Sequence, residues 1–266
     1  MPGEARTSEF LLSSATVMIG PQAKVMELTP ALHSVGLIKN VQVSAELGFT
    51  ELTQGVQNQA VSSVNNSVQT RIGGELYEYT ARNIAYGAGL DAGGAAYDTL
   101  TTQYALNAAI AAGAGTSIAL ASGGTDFTAG DFIVLQDTTI PDRVFIGKVA
   151  SVATNTITLA TGYGFTAENT GWAVATTVAY KVRRVQVGSV AKQQRFGAKL
   201  VGILPESGEP VTLIFPKVAI TKGLGFSFQT ENFSNMPFEF TPYALVSTDP
   251  FYADYGAMKT WSVLRR

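Results

Sequence analysis

Turn signals set close together along the middle of this chain leave room only for short strands between them, and that spacing restricts the fold more than any other feature. Gly123-Gly124, Gly130-Asp131, Pro141-Asp142, Thr154-Asn155 and Gly162 to Gly164 separate β-type runs at Ser117 to Ala121, Phe132 to Asp137, Val144 to Val152, Thr156 to Leu159 and Trp172 to Val182. Runs this short, with turns this frequent, predict a compact all-β barrel or sandwich. A loop at Asp91, Gly93 and Gly94 opens the region and Lys181-Val-Arg-Arg follows it, so residues 92–182 read as an inserted domain, with a helix expected at Thr99 to Ala111. Residues 1–91 and 183–266 then form one discontinuous domain. A chain of 266 residues, 46% of them hydrophobic, has enough apolar material for both cores.

The flanking segments are β-like as well. Met1 to Glu9 has no periodicity and reads as a flexible arm, β character begins at Val17, and Pro30 to Val35 fits one helical turn. Strands are predicted at Leu37 to Leu47, at Phe196 to Leu204 and Val211 to Thr221 around the turn Pro205 to Pro210, at Leu224 to Phe228, and around Phe238 and Phe240. Val68, Thr70, Ile72, Gly74 and Leu76 line one face of another strand. Thr80 is placed to cap a short helix with the apolar stripe Ile84, Ala85 and Ala88, which Gly89 ends. Pro216 inside a strand pattern predicts an edge position or a bulge, and an edge can recruit a neighbouring chain.

Between Gly48 and Gln69 a single charge, Glu51, stands among Gln54, Gln57, Asn58, Gln59, Asn65, Asn66 and Gln69, with valines at 56, 61, 64 and 68. A long hairpin turning near Gly55 or Asn66 fits this stretch, and a surface loop is the alternative.

Few chemistries remain open. Lys plus Arg number 18 against 20 for Asp plus Glu, so no basic excess exists to neutralise many phosphates. The absence of cysteine removes disulfides and thiolate sites, and the N-terminus lacks a signal-peptide pattern, which fits assembly in a cytoplasm. Tyr104 to Leu120 is too short and too glycine-rich to span a membrane. His33 is the single histidine, so neither a multi-histidine metal site nor a conventional serine triad can be built on it. Gly87, Gly89 and Gly93 miss the dinucleotide spacing, and Asp126, Asp131, Asp137 and Asp142 match no calcium loop and read as turn residues. Arg183-Arg184 and Arg265-Arg266 are too small for a nucleic-acid footprint. No catalytic set is selected, and no cofactor or metal is expected. Only 14% of residues are charged, which suits a subunit hiding much of its surface in neighbours.

Two segments carry a family likeness. The strand, the polar hairpin and then GGELYEYTARNIAYGAGLD (Gly73 to Asp91) resemble the strand-and-helix unit of bacteriophage tail tube proteins. LIFPKVAITKGLGFSFQTENFSNMPFEFTPY (Leu213 to Tyr243) is similar to that family's C-terminal pair of strands. The resemblance spans roughly Val35 to Asp91 and Ala191 to Tyr255 and leaves the insert uncovered. It implies a mainly β fold, a β-sandwich or open barrel with one flanking short α-helix, here with a small all-β insert.

It further implies a structural virion protein of the tail, not an enzyme. Six subunits would close into a ring, their hairpins would join into a β-lined channel, and rings would stack into a conduit for genome ejection. The partners would be the chain itself and other tail proteins such as sheath, tape measure, baseplate or terminator, with DNA passing unbound. On this reading Glu51, Gln54, Gln57, Asn58, Gln59, Asn65, Asn66 and Gln69 are the candidate lumen hairpin, and Phe215, Pro216, Phe226 and Phe228 the candidate interface strand. From Asn40 to Thr80 Glu46, Glu51, Glu75 and Glu78 stand against Arg71, a net negative segment that would not grip phosphates. The alternatives are a tail ring or terminator protein of the same fold, and a carbohydrate- or host-surface-binding module using exposed Tyr163, Phe165 and Trp172.

Overall fold

The computed structural model describes residues 15–54, 59–90, 97–113, 115–166, 171–188, 193–226, 233–257 and 259–265. Strand makes up 47% of it and helix 13%, so the protein is mainly β, built on two antiparallel sheets. The chain divides into two compact units, Met1–Tyr97 with Gln186–Arg266, and Asp98–Val185. Both junctions lie a few residues beyond the composition shift.

The first unit begins with β1 (Thr16–Gly20), β2 (Ile38–Gln54) and β3 (Gln59–Leu76). The second holds β4 (Gln103–Ala105), β5 (Ser117–Ala119), β6 (Phe132–Asp137), β7 (Val144–Ala153), β8 (Thr156–Leu159) and β9 (Thr177–Val182). The return to the first unit adds β10 (Phe196–Ile203), β11 (Pro210–Lys222), β12 (Met236–Pro242) and β13 (Ser262–Leu264). The helices are short: α1 (Pro30–His33), α2 (Ala81–Gly87) and α3 (Tyr252–Tyr255). No helix among the described residues is long and apolar enough to cross a membrane.

In the first unit the strand order is β1-β10-β11-β12-β3-β2, and β13 pairs with β11. Period-two alternation puts Met236, Phe238 and Phe240 of β12 on one buried face with Ile72 and Leu76 of β3. Helix α2 serves this unit through Tyr86, whose ring meets Phe196 edge-on at 5.2 Å and whose hydroxyl donates to the Ile19 carbonyl at 3.3 Å. Thr80 caps α2 by accepting the Asn83 N–H, as its position before the apolar stripe predicts. At the other end of α2 a Cβ on Gly87 would strike the Gly223 carbonyl, so the helix end and the exit from β11 touch backbone to backbone. A separate cluster joins Met18, Val25, Leu28 and Ile214.

Three expectations for this unit change. β11 is interior, with β10 on one side and β13 and β12 in succession on the other, so Pro216 does not mark an edge. The bulge alternative is the one observed: Ala198 faces Phe215 and Phe196 faces Val218, leaving Pro216 and Lys217 opposite Gly197. Proline is tolerated there because β13 pairs only as far as Ile214 and β12 only from Val218, so the missing N–H interrupts no ladder. Leu224 to Phe226 belongs to no strand, because β11 ends at Lys222 and Gly223 turns against α2; Phe228 lies outside the described residues. Asn66 is not a turn residue but lies within β3; Gly55, the other turn position expected, lies outside the described residues, as does the N-terminal arm.

The second unit is a sheet in the order β4-β9-β6-β7-β8-β5 whose two ends meet. Leu106, just past β4, bridges Leu120, just past β5, with the Asn107 N–H donating to Ala119 and the Ala121 N–H to Ala105. Joining the end strands leaves no long open edge and encloses a core that includes Ile118, Leu120, Ile133, Leu135, Ile157 and Trp172. The helix expected at Thr99 to Ala111 is absent, and extended chain with β4 replaces it. Tyr104, Leu106 and Ile110 point inward with exposed residues between them, and strand pairing overrides the helical preference of the alanines.

Candidate functional site

The feature with most surface to offer is the hairpin of β2 and β3. Phe240 opposite Ile72 is the last pairing of β12 with β3; from Arg71 to Gln59, β3 pairs with β2 alone among the described residues. The result is a two-stranded ribbon projecting from the sheet, and an isolated pair of strands is at best marginally stable in water.

Register gives the ribbon two different faces. Val43 opposite Ile72, Ala45 opposite Thr70 and Leu47 opposite Val68 continue the core-facing side of the sheet outward. Ile72 and Thr70 are buried, but Leu47, Val68 and the next residue on that face, Phe49, are 54%, 55% and 54% exposed. An apolar stripe therefore leaves the core and runs into solvent. The opposite face carries Ser44 against Arg71, Glu46 against Gln69, Gly48 against Ser67 and, beyond a bulge at Asn66, Thr50 against Val64 and Leu52 against Ser62, so it is polar up to Thr50 and exposes Val64 and Leu52 beyond it. The Asn66 side-chain amide donates to the Thr50 hydroxyl at 2.6 Å. A Cβ at Gly48 would meet the Ser67 hydroxyl, which would have to rotate away, and would lie 3.0 Å from Asn66 Oδ1.

The candidate lumen residues thus do not form one set. Asn66 and Gln69 lie on the polar face, whereas Glu51, paired with Ser63, and Asn65, paired with Phe49, lie on the face of the apolar stripe. Gln54 pairs with Gln59 through the backbone; Gln57 and Asn58 lie outside the described residues, and so do the side chains of Gln54 and Gln59. Residue composition drew attention to the amides and passed over Leu47 and Phe49, which continue the face already read for Val68. The alternation of Ala45, Leu47 and Phe49 against polar neighbours was the signal that would have found them.

The ribbon is anchored by a polar cluster at its base. Asn40, at φ 54°, makes a bulge between the pairs Lys39 with Glu75 and Gln42 with Gly73. Tyr77 donates to Glu75 at 3.0 Å, and Lys39 Nζ stands 4.9 Å from the Tyr77 ring centroid. That hydrogen bond, ahead of one from Asn235, holds the Glu75 carboxyl below its ordinary value and pushes the Tyr77 hydroxyl up. Glu78 Oε1 accepts the Leu37 N–H at 2.8 Å.

The candidate interface strand also separates. Phe215 and Pro216 are buried, Phe215 stacked on Trp261 at 5.5 Å, so they are core residues rather than contact residues. Phe226 is exposed and stacks on Tyr79 at 5.7 Å. The exposed aromatic platform of the insert is overturned as well: Phe165 and Trp172 are 7% and 3% exposed, Phe165 stacked on Phe145 and Trp172 under the Arg143 guanidinium at 4.2 Å. His33 Nδ1 accepts the Thr29 N–H at 3.2 Å within the turn of α1. Asp131 pairs with Lys181 at 2.6 Å and Asp137 with Arg143 at 3.0 Å, and no group of three or more metal-ligating side chains occurs among the described residues.

No protein-family model matches the chain, and no curated protein matches it significantly in sequence.

Proposed function

We propose that this chain is the subunit of a bacteriophage tail tube, closing with copies of itself into stacked rings around a channel through which the genome leaves the virion. One observation carries the reading: the β2-β3 ribbon exposes the apolar stripe Leu47, Val68 and Phe49 on one face, a surface that is polar as far as Thr50 and then carries Val64 and Leu52 on the other, and unpaired strand edges on both sides. The apolar face requires cover and the edges require strands.

Copies related by rotation about an axis along the ribbon supply both. Such a rotation preserves strand direction, so β2 of one copy runs antiparallel to β3 of the next, and the ribbons join into a closed wall without edges. The apolar stripe then turns outward, toward the bodies of the subunits, and the polar face lines the channel. Ring closure with head-to-tail stacking is the heterologous geometry that yields filaments. The likeness of Gly73 to Asp91 and Leu213 to Tyr243 to tail tube proteins supports the same reading. The role is structural, with the chain itself, other tail proteins and passing DNA as partners, and the virion tail as its place.

Electron microscopy of the purified full-length protein tests it. Rings or tubes with a central channel are expected. A protein that stays monomeric at high concentration, with the stripe still in solvent, would overturn self-assembly as its role.

A further inference from the structure

The ribbon holds three charges along β2 and β3 beyond the reach of β12: Glu46, Glu51 and Arg71. Their placement is not random. Glu46 is on β2, the strand at one side of the ribbon, and Arg71 is on β3, at the other side, and both project from the polar face. Glu51 projects from the opposite face. Neither Glu46 nor Arg71 has an ion-pair or hydrogen-bond partner among the described residues, and both are exposed. Glu239, which lines the cleft beside Arg71, receives the Thr221 hydroxyl at 3.2 Å.

We infer that Glu46 of one copy pairs with Arg71 of the next and so sets the register between neighbouring ribbons. The inference rests on the ring reading above and adds the residues that align it. When β2 of one copy joins β3 of its neighbour, an even offset is required to keep the polar face on one side of the wall. With no offset Glu46 faces Gln69 of the neighbour and has that copy's Arg71 on its diagonal, the same relation that Glu46 and Arg71 have across their own ribbon, where no ion pair joins them. An offset of two residues, the size that a strand tilt of about 36° produces at about one residue per strand, sets Glu46 directly opposite Arg71 in one direction and opposite Ser67 in the other, so the pair selects the first. Odd offsets bring the apolar stripe into the channel. The surrounding Ser44, Ser67, Gln69 and Thr50 are uncharged and tolerate many registers, so one complementary pair at each junction discriminates where the rest of the face does not.

A charge exchange in the full-length protein tests the pairing, read by electron microscopy and by the sedimenting fraction. E46R and R71E each place like charges together at every junction and are expected to lower the assembled fraction about tenfold while leaving the melting temperature of the subunit unchanged. The double variant E46R/R71E is expected to recover assembly, and so is an equimolar mixture of the two single variants, which restores opposite charges between alternating copies but not within any one of them. E51R/R71E is expected not to, since Glu51 lies on the other face. Wild-type assembly that neither single change disturbs, or a double variant no better than the singles, would overturn the pairing and leave the ring reading standing. Failure of the wild-type protein to assemble would overturn the ring reading and the pairing with it.

Discussion

The Asn83 side-chain amide donates to the Val35 carbonyl at 2.8 Å, from within a helix whose first turn it helps to close. The same amide donates to the Glu78 carbonyl at 2.9 Å, so one buried residue ties α2 to the segment before β2 and to the segment after β3. Asn83 is therefore a fastener for both ends of the hairpin. Asn83→Ala leaves two carbonyls without this donor and is expected to cost about 2–3 kcal/mol, a drop of roughly 4–10 °C in Tm by calorimetry. A change below about 0.5 kcal/mol, the range of an ordinary surface substitution, would show that other donors replace it.

Phe49 and Phe240 offer a contrast between two phenylalanines of the same unit. Phe49 is half-exposed on the ribbon and Phe240 is buried between Phe215 and Phe238. Phe49→Ser is expected to leave the subunit's Tm within a degree or two and to abolish rings, whereas Phe240→Ala is expected to cost about 3–5 kcal/mol of subunit stability. Circular dichroism melts paired with electron microscopy separate the two effects. Rings formed normally by Phe49→Ser would remove the apolar stripe from the assembly contact.

The Asp98–Val185 unit has its own core and neighbouring entry and exit strands, β4 pairing with β9. Expressed alone, this segment is expected to fold, with dispersed amide signals in NMR and a cooperative melt. Within it Ile133→Ala is expected to cost about 2–5 kcal/mol, because Ile133 is fully buried. A segment that remains unfolded in isolation would contradict the autonomy of this core.

Acid should weaken the same unit through Asp137. The Thr139 hydroxyl at 2.6 Å, then the Thr139 N–H at 2.9 Å, with Arg143 adding to them, hold the Asp137 carboxyl below its ordinary value of 3.8. A carboxyl depressed in the folded state binds its proton more readily when unfolded. Its contribution is complete above the unfolded value and is lost as pH falls from about 4 toward the folded one. Thermal melts of the full chain between pH 7 and pH 3 are expected to show a steep loss below about pH 4 that Asp137→Asn makes shallower. An identical acid slope in the variant would assign the loss to other carboxyls.

Much of the strand map was legible because alternation and turn chemistry are local. β6 and β8 fall where Phe132 to Asp137 and Thr156 to Leu159 predict them, and α2 begins at the Thr80 cap. Local signals misled where a distant partner decided the conformation. The alanines from Thr99 to Ala111 favour helix, yet Leu106 is drawn into a bridge with Leu120. Phe226 alternates like a strand residue, yet the contact of Gly223 with Gly87 ends β11 before it. Phe165 and Trp172 looked available because aromatic residues near turns carry no local mark of burial.

The sequence by itself determined the mainly β class of the protein, since that rests on a period of two residues, and it marked composition shifts near residues 92 and 182 and a long, nearly uncharged stretch from Gly48 to Gln69 that fits a hairpin or a surface loop. Only the tertiary structure decided which side of that hairpin is apolar, that Glu46 and Arg71 share a face which Glu51 does not, and that Pro216 sits at a bulge inside the sheet. The physical reason is that a bulge shifts the face of every residue beyond it, and the bulges at Asn40, Asn66 and Pro216 arise from pairing between strands, which no single strand's pattern contains.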